Sequence, residues 1–198
     1  MTARSSRWMA GMVTGAALVA AAMTAGAELL AGLKPAEPQP AAEQLAPGLA
    51  VSYAFGRVNH INELRSKKFE AGKPLAHLNH RMGEGNVLTT KERDLVGAYI
   101  TGFIRFEKPG TYGFTVTSND GVWIEIGDKL LYEDPSVHSD DESDRIDVKI
   151  DTAGWYTFKA LYFEKKGTAT LVLKWAPPGG DPKAKPVPVP ATAFAYKK

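Results

Sequence analysis

The stretch Gly110–Lys129, GTYGFTVTSNDGVWIEIGDK, decides how this sequence folds. Tyr112, Phe114 and Val116 alternate with Gly113, Thr115 and Thr117, the two-residue period of a strand with one buried face. Beyond a short polar bend, Val122, Ile124 and Ile126 repeat the pattern, while Trp123 and Glu125 point the other way. The bend, Ser118-Asn119-Asp120-Gly121, gathers short oxygen-bearing side chains beside a residue free to take positive φ. Gly127-Asp128 suits a two-residue hairpin turn that returns the chain through Leu130 and Leu131. The bend is where contact with a ligand is expected, because binding residues gather on loops held by a rigid scaffold.

The same alternation extends outward in both directions. Gly48–Gly56 reads as the first strand, and residues 57–95 as irregular connections with one short helix near Asn62–Lys68. Ala98–Phe106 is apolar on both alternations, as in a central strand covered on both sides. Ile146, Val148 and Ile150 form one buried face; Tyr156, Phe158, Ala160 and Tyr162 form another. Lys165-Lys166-Gly167 reads as a hairpin turn leading to Leu171, Leu173 and Trp175. Pro188, Pro190 and Phe194 mark a final edge segment, where proline is tolerated. Many short strands, frequent turn signals and little helical periodicity predict an all-β, antiparallel two-sheet sandwich or barrel.

The chain has 198 residues, no cysteine and a formal charge of +2. Arg4 and Arg7 precede an unbroken apolar and small-residue run, Met9–Ala25, and Ala25-Gly26-Ala27 offers a cleavage site. Residues 1–27 therefore read as a secretory signal peptide, with an uncleaved membrane anchor as the other reading. Its removal would leave 22 basic against 22 acidic residues. A neutral domain of this kind has no electrostatic footprint for nucleic acid, and no membrane span is expected after cleavage. Residues 28–47, rich in proline and alanine, read as an extended tether, and residues 48–198 as the folded domain. Export to the periplasm or the cell surface without cysteine leaves the core alone to hold the fold.

The motifs in order are G-x-Y-x-F at 110–114, T-S-N-D-G-V at 117–122, I-G-D-K at 126–129, A-G-W-Y at 153–156, Y-F-E at 162–164 and L-V-L-K-W at 171–175. Together they resemble the PA-fourteen domain, the β-barrel module named after a segment of anthrax protective antigen, over about residues 48–198. The resemblance implies a module that binds carbohydrate through calcium. Two consecutive aspartates joined by a cis peptide would match Asn119 and Asp120, and a further oxygen ligand would come from the loop that ends Tyr162-Phe163-Glu164. Here the first aspartate is Asn119, which keeps a carbonyl oxygen but removes one charge, and calcium affinity rises with ligand charge. Glu164 could restore that charge; Lys165 and Lys166 beside it would oppose a cation.

The candidate ligand-binding set is thus Asn119, Asp120, Gly121, Trp123 and Glu164, with Asn119, Asp120 and Glu164 as the calcium ligands. Trp123 has two readings, a platform for a sugar ring or a side chain packed under a covering loop. The acidic run from Glu133 to Asp144 lacks calcium-loop spacing and reads as a solvated loop, with His138 in a structural hydrogen bond. His60, His77 and His80 lack the spacing and companions of a zinc site. No nucleophile elbow, catalytic cysteine or phosphate-cradling glycine motif occurs, so no enzyme is expected. The leading expectation is an exported glycan-binding module. The alternative is a periplasmic or surface scaffold for an envelope protein that has lost the sugar site.

Overall fold

The computed structural model describes residues 29–83, 85–181 and 184–198. The expected signal peptide lies outside the described residues. The strands begin with β1 (Leu45–Pro47), β2 (Ala50–Phe55), β3 (Glu70–Ala71) and β4 (Asn79–Arg81). The central run follows as β5 (Val96–Phe106), β6 (Gly110–Asn119), β7 (Val122–Ile126) and β8 (Lys129–Asp134). Then come β9 (Asp141–Glu142), β10 (Ile146–Ile150) and β11 (Gly154–Glu164). β12 (Thr170–Ala176), β13 (Val187–Pro188) and β14 (Phe194–Lys197) complete the set. The short helix expected near Asn62–Lys68 is a 3₁₀ turn over Ile61–Ser66, opened by the His60 ring accepting the Asn62 amide.

Among the described residues these strands form two antiparallel sheets. The larger runs β1-β14-β5-β11-β7-β8, with β2 also on β5 and β3 on β2. The smaller runs β10-β6-β12-β13, with β4 on β12 and β9 on β6. The expected all-β, two-sheet architecture is therefore the observed one. The alternating residues meet between the sheets: Tyr112, Phe114 and Val116 from one side, Val122, Ile124, Ile126, Tyr156, Phe158, Ala160 and Tyr162 from the other. Phe106 anchors one end, its ring 4.8 Å from Tyr112, 5.1 Å from Tyr156 and 6.0 Å from Trp175. That cluster draws on both sheets and locks them face to face.

Two connections cross from one sheet to the other. β6 and β7 lie in different sheets, as do β11 and β12. The 119–121 bend is thus an arch across the core, and so is the Lys165-Lys166-Gly167 turn, which the sequence reads as a hairpin. A lone hairpin and an arch share the same turn residues, so only the pairing of distant strands separates them. Gly127-Asp128 is a true hairpin, with positive φ at both positions (55° and 62°), as a primed two-residue turn requires. β14, expected at an edge, lies between β1 and β5, whereas Pro188 does sit on the edge strand β13.

The proline-rich segment expected to be a loose tether is instead packed. Leu30 bridges Val148 on β10, and its amide donates to Asp147 O at 2.9 Å. The Lys34 amide donates to Gly127 O and the Ala36 amide to Trp155 O at 2.8 Å. Leu33 and Ala36 are buried. The segment therefore runs from the edge of the smaller sheet to the larger one. Its prolines occupy positions that need no backbone donor, so their presence does not prevent this docking.

Truncating Phe106 to alanine should cost about 3–5 kcal/mol of stability, the usual loss for a fully buried aromatic. Chemical denaturation checks this; a loss under about 1 kcal/mol would mean the ring cluster does not join the sheets.

Candidate functional site

The strand registers bring Asn119, Glu164 and Thr170 to one end of the molecule, opposite the Phe106 cluster. Asn119 pairs with Thr170 across the smaller sheet, and Glu164 with Val96 across the larger. At this end both arches cross the core side by side. The Asp120 amide donates to Phe163 O at 3.1 Å, and the Phe163 amide to Gly121 O at 3.0 Å. The peptide joining Asn119 to Asp120 is cis.

The Asp120 side chain ties three loops together. Oδ2 accepts the Lys165 amide at 2.8 Å and Oδ1 accepts the His138 amide at 3.0 Å. Asn119 Nδ2 donates to Asp140 Oδ1 at 3.0 Å and Thr168 Oγ1 at 2.8 Å. Its carbonyl accepts the buried Tyr162 hydroxyl at 2.6 Å. Asp140 also accepts from Thr170 Oγ1 and lies 3.3 Å from the Arg81 guanidinium. Part of the acidic run read as a solvated loop is therefore built into the site, through Asp140 and the His138 backbone. The His138 ring bonds Ser139 O and approaches Asp134, the structural role expected of it.

Glu164 is the unusual member. The residue is 1% exposed, and neither carboxylate oxygen makes a hydrogen bond of normal geometry, the Lys166 backbone amide lying only near enough to oppose the rise in its pKa. Burial pushes its pKa up to about 8, and the neighbouring Asp120 and Asp94 charges push the same way. Lys165 and Lys166 do not offset this with a side-chain ion pair; the Lys165 contribution is its backbone amide on Asp120. Asp94, missed in the sequence, accepts the Gly167 amide at 2.9 Å, which places it on the same arch. It stands two residues before β5 begins at Val96, and no sequence signal marks it there.

Two expected site residues behave differently. Gly121 does not take positive φ; a Cβ there would lie 2.5 Å from the Phe163 ring and 3.0 Å from Pro135. It is glycine because backbone and ring approach too closely for a side chain. Trp123 does not face the carboxylates. It lies on the outer face of the larger sheet, half-buried, with the Arg65 guanidinium 5.1 Å from its ring. The odd step of the strand alternation dictates this. The site is also closed: Asn119, Asp120, Gly121 and Glu164 are all buried. The histidines stay local, His77 accepting the Asn79 amide and His80 bonding His77 O.

The PA14 domain family profile matches residues 86–187, about half of the 198-residue chain. The chain belongs to the PA14 domain family. Solved structures agree with that assignment. The PA14 domain of the MpAFP antifreeze protein aligns at 18% identity and a TM-score of 0.64, covering 81% of this chain and 96% of that one. The PA14 sugar-binding domain of an RTX adhesin aligns at 15% identity and a TM-score of 0.59, covering 76% and 99%. The Epithelial Adhesin 6 A domain of Candida glabrata, solved with Galβ1-3GlcNAc, aligns at 12% identity and 0.58, covering 76% and 87%. No curated protein matches the chain by sequence. Among the described residues, no helix is long and apolar enough to cross a membrane.

Glu164 gives a pH test. Its folded pKa, about 8, stands above its ordinary 4.5, so the folded chain holds the proton more tightly than the unfolded one. The resulting stability is complete below about 4.5 and is lost as pH climbs through about 8. In chelator, the wild type should lose roughly 3–5 kcal/mol across this window relative to Glu164→Gln. Parallel stability curves for the two proteins would show that Glu164 ionises as an ordinary carboxyl.

Proposed function

We propose that this domain is an exported carbohydrate-binding module whose ligand end is the Asn119–Asp120 arch, with a divalent cation, calcium by class, between Asp120 and Glu164. The observation that carries the cation is the Glu164 carboxylate, enclosed beside a second acid and without a donor. Such a pair is stabilised by a proton or by a metal ion. Hard cations take carboxylate and carbonyl oxygens, the donor types gathered here. Among the described residues no three His, Asp or Glu side chains converge as a metal cluster. Asp120 and Glu164 would therefore supply the charge and Asn119 at most a neutral oxygen. A bound ion would draw a sugar's vicinal hydroxyls to this end of the barrel.

Carbohydrate as the ligand class rests on the sugar-binding and adhesin domains that share the fold. Export rests on the apolar leader at residues 1–27, with the periplasm or the cell surface as destination. We assign binding rather than catalysis because the arches hold carboxylates and amides, with no paired nucleophile and base.

The closure of the site favours a second reading. Both Asp120 oxygens already accept backbone amides, and Glu164 is sealed from solvent. A domain that kept these bonds as structural ties would serve as a scaffold for an envelope protein. Calorimetric titration with calcium, followed by a β-galactoside array, separates the two. The lectin reading expects heat with calcium and calcium-dependent glycan signal, both lost in Asp120→Ala. Absence of both in the wild type, with an envelope protein retained through chelation, would establish the scaffold.

A further inference from the structure

Asn119, Asp120 and Glu164 are sealed, so a ligand at that end of the barrel meets other side chains first. Phe55, the last residue of β2, is 51% exposed there. It pairs with Val96, and Val96 pairs with Glu164, so the three form one lateral row across β2, β5 and β11. Val51 and Tyr53, earlier on β2, enter the core, and the two-residue period gives Phe55 the same inner face. At the end of the strand that face is no longer covered, and the ring emerges at the mouth of the barrel.

Leu95 stands beside it, 43% exposed and held at a φ of 60°. A leucine in this left-handed region is strained by its Cβ, and glycine would occupy it at less cost. The conformation is imposed from both sides. The Leu95 carbonyl accepts the Gly56 amide at 3.0 Å, and its amide donates to Lys165 O at 3.3 Å. The Lys165 amide in turn donates to Asp120 Oδ2 at 2.8 Å. Backbone bonds therefore tie Leu95 to the end of β2 on one side and to the Asp120 carboxylate on the other. Folding uses the backbone at this position and gains nothing from an exposed leucine. Strain kept under an exposed apolar side chain points to a contact outside the chain.

Phe55 and Leu95 face one shallow depression, completed by Gly56, Glu92 and Asp94. Asp94 is fixed there by the Gly167 amide on Oδ1. The charges around the depression are of both signs, since the Lys67 ammonium approaches Gly56 opposite the two acids. Such a rim selects no net charge. It suits a ring with one apolar C–H face and a border of hydroxyls. The face covers Phe55 and Leu95, while the hydroxyls donate to the carboxylates and accept from the lysine. We infer that Phe55 and Leu95 form the platform on which a neutral sugar ring rests, beside the second arch. This rests on the carbohydrate-binding reading and adds to it the residues that fix which face of the sugar is accepted.

Calorimetry of the full protein with lactose, maltose and cellobiose in calcium tests this, with thermal unfolding of each variant alongside. Phe55→Ala and Leu95→Gly should each weaken the binding of the preferred disaccharide about tenfold, the loss of one packed contact. Both should keep the calcium heat, because the ion's oxygens are those of Asp120 and Glu164. Leu95→Gly should also raise the midpoint of thermal unfolding as the strain is relieved, so its lost binding is no folding defect. A leucine of purely structural use would do the opposite, lowering the midpoint and leaving the sugar bound. Wild-type binding that both variants keep overturns the platform and leaves the carbohydrate reading standing. A wild type that binds none of the three sugars overturns the platform together with that reading. Loss of the calcium heat in either variant also overturns the platform, since the effect then runs through the ion site.

Discussion

A chain that crosses from one sheet to another must find partners for the backbone donors it exposes on the way. At the Asn119–Asp120 end of this domain, one aspartate answers for two crossings at once. Asp120 accepts the Lys165 amide from the second arch and the His138 amide from the acidic loop, while its own amide and the carbonyl of Gly121 pair with Phe163. Unpaired buried amides are costly, so the position of all three loops depends on this one carboxylate. Asn119 extends the same network to Asp140 and Thr168.

Beside this satisfied carboxylate stands an unsatisfied one. Asp120 fixes the loops because both its oxygens have donors; Glu164 lacks such bonds, and its pKa of about 8 keeps it protonated at neutral pH. The contrast divides the two acids by role: Asp120 builds the end of the barrel, and Glu164 holds a proton there. Retaining such a residue is destabilising at neutral pH.

The two-residue period of the strands distributes chemistry between the two faces of the larger sheet. Along β7, Val122 and Ile124 enter the core while Trp123 leaves it. Along β11, Tyr162 and Glu164 lie inside and Leu161 outside. Asp120 and Glu164 are therefore sealed between the sheets, while Trp123, Leu161 and Tyr99 lie on the outer face of the larger sheet. Neighbouring residues in sequence thereby serve separate surfaces only a few ångströms apart through the sheet.

Alternation, turn residues and the six ordered motifs were enough to establish an all-β, two-sheet PA14 domain and to mark the Asn119–Asp120 bend. These are local properties: a strand's buried face and a turn's glycine are written in adjacent residues. Which strands pair was not legible, because pairing joins residues far apart in sequence; hence the Lys165-Lys166-Gly167 arch read as a hairpin turn and a docked proline-rich segment read as a tether. The same limit hid Asp94 and Asp140, which acquire meaning only beside Gly167 and Asn119. The family resemblance carried by the motifs placed Glu164 near the bend as an oxygen ligand. Its isolation, the feature on which its chemistry turns, is decided by the tertiary structure, because desolvation depends on what surrounds a group from every side.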